Sequence, residues 1–135
     1  MEAITTTVGS LSDTDAKAIV TRLTKPGSEF QQEVSNRDGS RTPIVLVRDG
    51  SWRIVSWAAT HQWRGQQTLE GFTMDVYRRR GCQRAAASLL MASGAIRPDD
   101  PIAIFSPLML DIARSLRFSE VRLYEMRDGD WRLNS

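Results

Sequence analysis

Cysteine and histidine are almost missing from this sequence: Cys82 and His61 each stand alone. A single thiol excludes an intramolecular disulfide, and one imidazole beside it leaves a metal almost no ligands, so no metal site is expected. Long apolar runs are missing too. None approaches the roughly 20 residues that cross a bilayer, and the opening MEAITTTVGS has neither the basic start nor the apolar middle of a secretory signal. A cytoplasmic setting without membrane contact is therefore expected. Excess charge of one sign is also lacking. Eighteen Lys and Arg against 16 Asp and Glu leave a net charge of +2, too little by itself for a nucleic-acid partner, which usually meets a clustered basic face. The composition, 41% hydrophobic and 25% charged, is that of an ordinary globular chain. One domain over residues 1–135 is long enough to bury a core without staples.

What is present begins with EAITTTV, β-branched and closed by Gly9, which reads as a strand. SLSDTDAKAIVTRLTK offers Ser12 as N-cap and apolar residues at helical spacing up to Pro26-Gly27. SEFQQEVSN reads as a short second helix, and RDGSRTP as a loop. PIVLVRDGSWRIVSWAATHQW holds two β-rich runs joined at Asp49-Gly50, the signal for a type I′ hairpin. TLEGFTMDV reads as a further strand. It runs into YRRRGCQRAAASLL, where three arginines and a glycine precede a helix that stops at Gly94. PIAIFS is a short apolar strand covered on both faces. PLMLDIARSLRF starts a helix at proline, with Leu108, Ile112 and Leu116 on its expected core face. VRLYEMRDGDWRL closes with a second hairpin turning at Asp128-Gly129. Its RDG-x-WR echoes the earlier RDGSWR, which we read as two similar hairpins and not a duplicated domain.

This order mixes antiparallel hairpins with crossover helices, and its central junction resembles the GNAT N-acetyltransferase superfamily. That family places the pattern Q/R-x-x-G-x-G/A between a strand and a helix; here the loop reads Arg78-Arg79-Arg80-Gly81-Cys82-Gln83, and FSPLMLDIARSLRF resembles the family's next strand-helix segment. The resemblance spans most of the chain from about Ile44 onward. It implies an α/β fold of α+β type, with a central, mostly antiparallel sheet of about six or seven strands, a splayed strand pair and three or four helices. It also implies acetyl-CoA or a related acyl-CoA as cosubstrate, direct transfer to an amine, and an amine-bearing acceptor as partner. A homodimer is compatible with it.

The implied cofactor-binding positions follow from the same motif. Arg78, Arg79, Arg80, Gly81, Cys82, Gln83 and Arg84 wrap the pyrophosphate, because helix-start amides without intrahelical partners and the helix dipole favour an anion. Arginines there add charge-assisted bonds. The backbone amides of Phe72, Thr73 and Met74 lie on the splayed strand, and Ser106 stands where the family often has asparagine. Departures accompany these matches. Gln83 replaces a second small residue, Arg117 replaces the glycine before Phe118, and Ala113 occupies the position of the family's usual acid, a tyrosine. Either Tyr124 substitutes as the acid, or the thiolate leaves without one, a thiol pKa of about 8.5 making it a tolerable leaving group. Glu70, on the strand leading to Thr73, is the first candidate base, and His61, whose unperturbed pKa lies near neutrality, the second. Cys82 reads as a packing residue, since no histidine is placed locally to activate it. Of the four tryptophans, Trp63 beside His61 is the substrate-contact candidate. Two other readings stay open: a family-like module that binds coenzyme A or another anion without turnover, and macromolecular or nucleic-acid binding through the arginines.

Overall fold

The computed structural model describes residues 1–134, and the elements follow the expected order. Strand β1 (Glu2–Thr7) leads to helices α1 (Asp13–Arg22) and α2 (Glu29–Ser35). Serines cap both helices, Ser12 accepting from the Asp15 amide and Ser28 from the Gln31 amide, as short hydroxyl side chains do at a helix start. Strands β2 (Pro43–Arg48) and β3 (Ile54–Ala59) follow, then the short β4 (Gln62–Trp63). The run read as one strand, TLEGFTMDV, is two: β5 (Gln66–Thr68) and β6 (Glu70–Thr73). Helix α3 (Cys82–Ala92), β7 (Ile102–Ile104), α4 (Pro107–Ser115), β8 (Val121–Arg127) and β9 (Asp130–Leu133) complete the chain. Among the described residues no helix is long and apolar enough to cross a membrane.

The strands form two sheets, β1-β2-β3-β6 and β4-β5-β7-β8-β9, in place of one sheet of six or seven strands. The first is wholly antiparallel. The second holds two parallel pairings, β5 with β7 and β7 with β8. Both faces of the first sheet are covered, which explains the unbroken apolar runs of β2 and β3. On one face Ile44, Leu46 and Trp57 pack with Ile19, Leu23 and Phe30 of the α1–α2 side. On the other, Val45, Val47 and Ala58 pack with Ala86, Ala87 and Leu90 of α3. Alternation along one strand thus feeds two cores.

Two local expectations need correction. The Asp49-Gly50 connection is not a two-residue type I′ turn. It is a five-residue loop between Arg48 and Ile54, because the Asp49 carboxylate accepts from the Ser51 and Arg53 amides and holds the loop open. The Asp128-Gly129 turn is the expected kind, with φ of 52° and 76° at its two residues and Arg127 paired to Asp130. On α4, Leu108 is exposed, while Met109 and Ala113 are buried and Ile112 and Leu116 pack beside them. The core face is therefore rotated by one residue from the expected one.

Candidate active site

The segment from Gln66 to Thr73 changes partner midway. Its first half pairs with β4 and β7, and the Leu69 amide still donates to the Ala103 carbonyl of the β7 side at 3.1 Å. Its second half pairs with β3 alone. Strands β6 and β7 consequently diverge beyond Leu69, which is the splayed pair the resemblance implies. Amide direction alternates along a strand. Leu69 points to β7 and Met74 donates to the Val55 carbonyl at 2.9 Å on the β3 side, so Gly71 and Thr73 present their amides to the opening. Of the expected trio, the Thr73 amide faces the opening while those of Phe72 and Met74 face β3, and the Gly71 amide shares the opening with Thr73.

Gly71 also answers for the bulk at Gln83. A Cβ on Gly71 would lie 2.0 Å from Gln83 Nε2 and 2.7 Å from the Trp57 carbonyl. The Gln83 side chain therefore turns inward, not toward the loop's outer surface. Its Nε2 donates to the Trp57 carbonyl at 2.9 Å, and its Oε1 accepts from the Thr73 hydroxyl at 3.0 Å, which is itself 2.7 Å from Ser56 Oγ. Every polar atom of this buried chain finds a partner. The departure from a small residue pins the start of α3 to the splayed strand and leaves the loop surface unobstructed.

Arg78, Arg79, Arg80 and Arg84 are all exposed around the start of α3. Gly81 takes the N-cap position at φ 77° with no side-chain cap, and Arg79 is also left-handed at φ 65°. Only glycine adopts such a φ without strain. Arg78 pairs with Asp75 at 3.1 Å, and the Arg80 guanidinium lies 5.3 Å from the Tyr77 ring centroid. The first turn of α3 carries no acidic residue, unlike α1 with Asp13 and Asp15 or α2 with Glu29. Positive charge at a helix N-terminus opposes the dipole, so the residues of this end leave it electrostatically unsatisfied. Tyr77 anchors the approach to the loop through a 2.8 Å bond to the Asp49 carboxylate. Cys82 is buried, and burial raises its thiol pKa despite the opposing influence of Arg80, in keeping with a packing role.

On the other face of β6 the structure brings the two candidate bases together. His61 Nε2 lies 3.7 Å from Glu70 Oε1, with the two side chains 30% and 26% exposed. Burial pushes the Glu70 carboxyl above the usual carboxylate range; the nearby imidazole opposes this, while Glu29 and Glu33 of α2 add to it. No arginine pairs with Glu70 among the described residues. Thr68 positions the imidazole from the adjoining strand: its hydroxyl accepts from the His61 amide at 3.1 Å and sits 3.4 Å from Nδ1.

Glu70 and His61 line a cleft of about 590 Å³ that runs from the α1–α2 loop to the C-terminal hairpin. Ser106 also lines it, with its hydroxyl serving as N-cap to the Met109 amide at 3.4 Å. Trp63, the substrate-contact candidate, lines the cleft from β4. Trp131, from the C-terminal hairpin, lies there too, and Phe105 bridges them with ring centroids 5.0 Å from each. Tyr124 packs edge-on against Trp63, but its hydroxyl accepts a 2.9 Å bond from Gln66 Nε2 and belongs to a Gln66–Arg122 cluster. Ala113 is fully buried in the core. A proton donor on that helix position is thus lacking, and the Tyr124 hydroxyl is engaged by Gln66, with Tyr124 outside the cleft lining.

No family model matches the chain, and no curated protein is found similar to it. Among solved structures, a single-residue variant of the BH1408 protein from Bacillus halodurans aligns over 100% of this chain and 98% of its own, at 14% identity and a TM-score of 0.54. That likeness is one of fold. Weaker likenesses are found to the ribosomal-protein-S18-alanine N-acetyltransferase from Escherichia coli (17% identity, 96% of this chain and 70% of that one, TM-score 0.45). Another is to a GCN5-related N-acetyltransferase from Kribbella flavida (13% identity, 89% and 70%, TM-score 0.42).

Proposed function

We propose that the protein is an acyl-CoA-dependent N-acyltransferase acting by direct transfer to an amine. The observation that carries this reading is the splay itself. One strand offers free amides at Gly71 and Thr73, with an uncapped, arginine-flanked helix start beyond one end and the Glu70–His61 pair at the other. The helix-start amides and arginines suit a pyrophosphate, and the inward Gln83 leaves them accessible, so the chain's residues fit coenzyme A as substrate.

The chemistry then assigns each group a task. An ammonium has no lone pair, so Glu70, aided by His61, accepts its proton. A carboxyl raised by burial does this near neutral pH better than an ordinary one. The freed amine nitrogen bonds to the thioester carbonyl carbon, and a strand amide aimed at the developing oxyanion lowers the barrier. The C–S bond breaks, the thiolate departs, and the second proton that the nitrogen sheds in becoming an amide passes to that thiolate. With a thiol pKa of about 8.5 it leaves tolerably without a protein acid, which accommodates Ala113 and a Tyr124 hydroxyl engaged by Gln66.

The same two features favour the second reading, a module that binds coenzyme A without turnover. Transfer from acetyl-CoA to a panel of primary amines, measured beside coenzyme A binding by calorimetry, separates them. Glu70→Gln is expected to leave coenzyme A affinity unchanged and to lower the transfer rate by about 100-fold. Coenzyme A binding without transfer to any amine supports the module; binding of neither coenzyme A nor acetyl-CoA overturns both.

A further inference from the structure

The cleft beside Glu70 has a composition of its own. One end is aromatic: Trp63, Phe105 and Trp131 form a contiguous wall, with Met126 at 53% exposure beyond it. Across the opening lie Phe72 and the stacked pair Phe30 and Trp57, whose ring centroids are 4.0 Å apart with planes inclined by 12°. The cleft is also anionic, with Glu70 and the exposed Glu29 both lining it and Glu29 close enough to affect Glu70. A third carboxylate, Glu33, is close enough to affect Glu70 but is engaged by the Ser40 hydroxyl at 2.9 Å. Among the described residues Lys25, exposed, is the one ammonium along the lining. Two carboxylates set between aromatic walls suit a ligand that is cationic at one end and flat and apolar at the other.

We propose that the acceptor is a primary amine carried on an aromatic group, its ammonium at Glu70 and Glu29 and its ring against Trp63, Phe105 and Trp131. The chemistry of this proposal rests on the acyl-transfer reading, whereas the ligand class rests on the cleft alone. A polyamine is disfavoured because the far end of the cleft offers rings and not carboxylates. A small aliphatic amine leaves the aromatic wall uncovered, and an uncharged aryl alcohol leaves the carboxylates without a counter-charge.

Binding to the protein without coenzyme A, followed by calorimetry and by quenching of tryptophan fluorescence, tests the claim with four probes: 2-phenylethylamine, ethylamine, 2-phenylethanol and spermidine. We expect 2-phenylethylamine to bind at least about tenfold more tightly than each of the other three, the gain of one ring or one charge in a formed pocket. In Trp131→Leu, checked for fold by circular dichroism, the preference over ethylamine falls several-fold; in Glu70→Gln the preference over 2-phenylethanol falls. Equal binding of ethylamine, or tighter binding of spermidine, overturns the assignment whatever the variants do. Selective binding of 2-phenylethylamine with no acyl transfer upholds the ligand class and defeats the acyl-transfer reading. Acyl transfer with no preference for the aryl amine does the reverse.

Discussion

The two ends of the splayed strand treat charge in opposite ways. At the Glu70 end the Glu70 carboxylate lies three-quarters covered, with its pKa shifted by burial and by three named neighbours. At the Arg78–Arg84 end four guanidinium groups stand in solvent. A buried charge is expensive, few are tolerated, and each has a defined geometry. Exposed charges cost little, act together, and are screened by salt. On the proposed reading, one end moves a proton at a fixed point and the other gathers an anion from solution. Gly71 and the Gln83 side chain lie between them and make the two ends one structure.

The sharpest way to break this comparison is at Gly71. Gly71→Val drives a branched side chain into Gln83 and the Trp57 carbonyl, and we expect a loss of about 3 kcal/mol or more in chemical denaturation. A loss under about 1 kcal/mol would show that the helix start is not wedged against the strand. Gln83→Ala removes the bridge while leaving the space. Stripping the Thr73 hydroxyl and Trp57 carbonyl of a buried partner is expected to cost about 2 kcal/mol, and an unchanged denaturation midpoint would refute the bridge.

Glu70→Gln carries the opposite sign. A carboxyl whose folded pKa is raised binds its proton more tightly in the folded state, so the wild type loses stability as pH rises from the ordinary value of 4.5 through the raised one. The glutamine variant escapes that loss. It should therefore be more stable than wild type at neutral pH, and the gap should narrow as pH falls toward 4.5 and below. A gap that is constant with pH would contradict the burial of Glu70. The smallest effect on stability belongs to the far end: Arg79→Ala with Arg80→Ala should shift unfolding by less than about 0.5 kcal/mol. The same double variant should weaken coenzyme A binding more at low salt than at high salt. A salt-independent loss would remove the electrostatic role of the arginines.

The identity of the elements was legible because capping serines, a proline at a helix start and β-branched runs are local signals. Partner choice was not. Nothing in TLEGFTMDV announces that Leu69 is the point where one strand leaves β7 for β3, since that follows from which neighbour lies nearest in three dimensions. The two RDG turns make the same point: their sequences agree, yet Asp49 bends its loop around a side-chain cap and a Tyr77 contact supplied 28 residues away, while Asp128 forms the short turn. Arg117 shows the converse. It stands where the resembled family has glycine and still adopts φ 61°, so the conformation persists without the residue that advertises it. At the candidate site, Glu70, His61 and Trp63 were legible as residue types in the right segment. Trp131 was not, because its sequence position lies at the opposite end of the chain, and Gly71 was overlooked because its value depends on where Gln83 points.

The change of partner at Leu69 also orders events as the chain folds. Pairing β6 with β3 joins Thr73 to Ser56, whereas pairing β5 with β7 must wait for Ile102 to reach Gln67. The longer closure carries the larger entropic cost and the slower search. Strand β6 is therefore expected to settle on the antiparallel sheet before β7 arrives, and the opening is the gap left when a late strand meets an early one at a single point. Pulse-labelled hydrogen exchange reads this directly: the Met74 amide, bonded to Val55, should gain protection before the Leu69 amide, bonded to Ala103. The cleft in which we place the chemistry is, on this account, the last feature of the molecule to form.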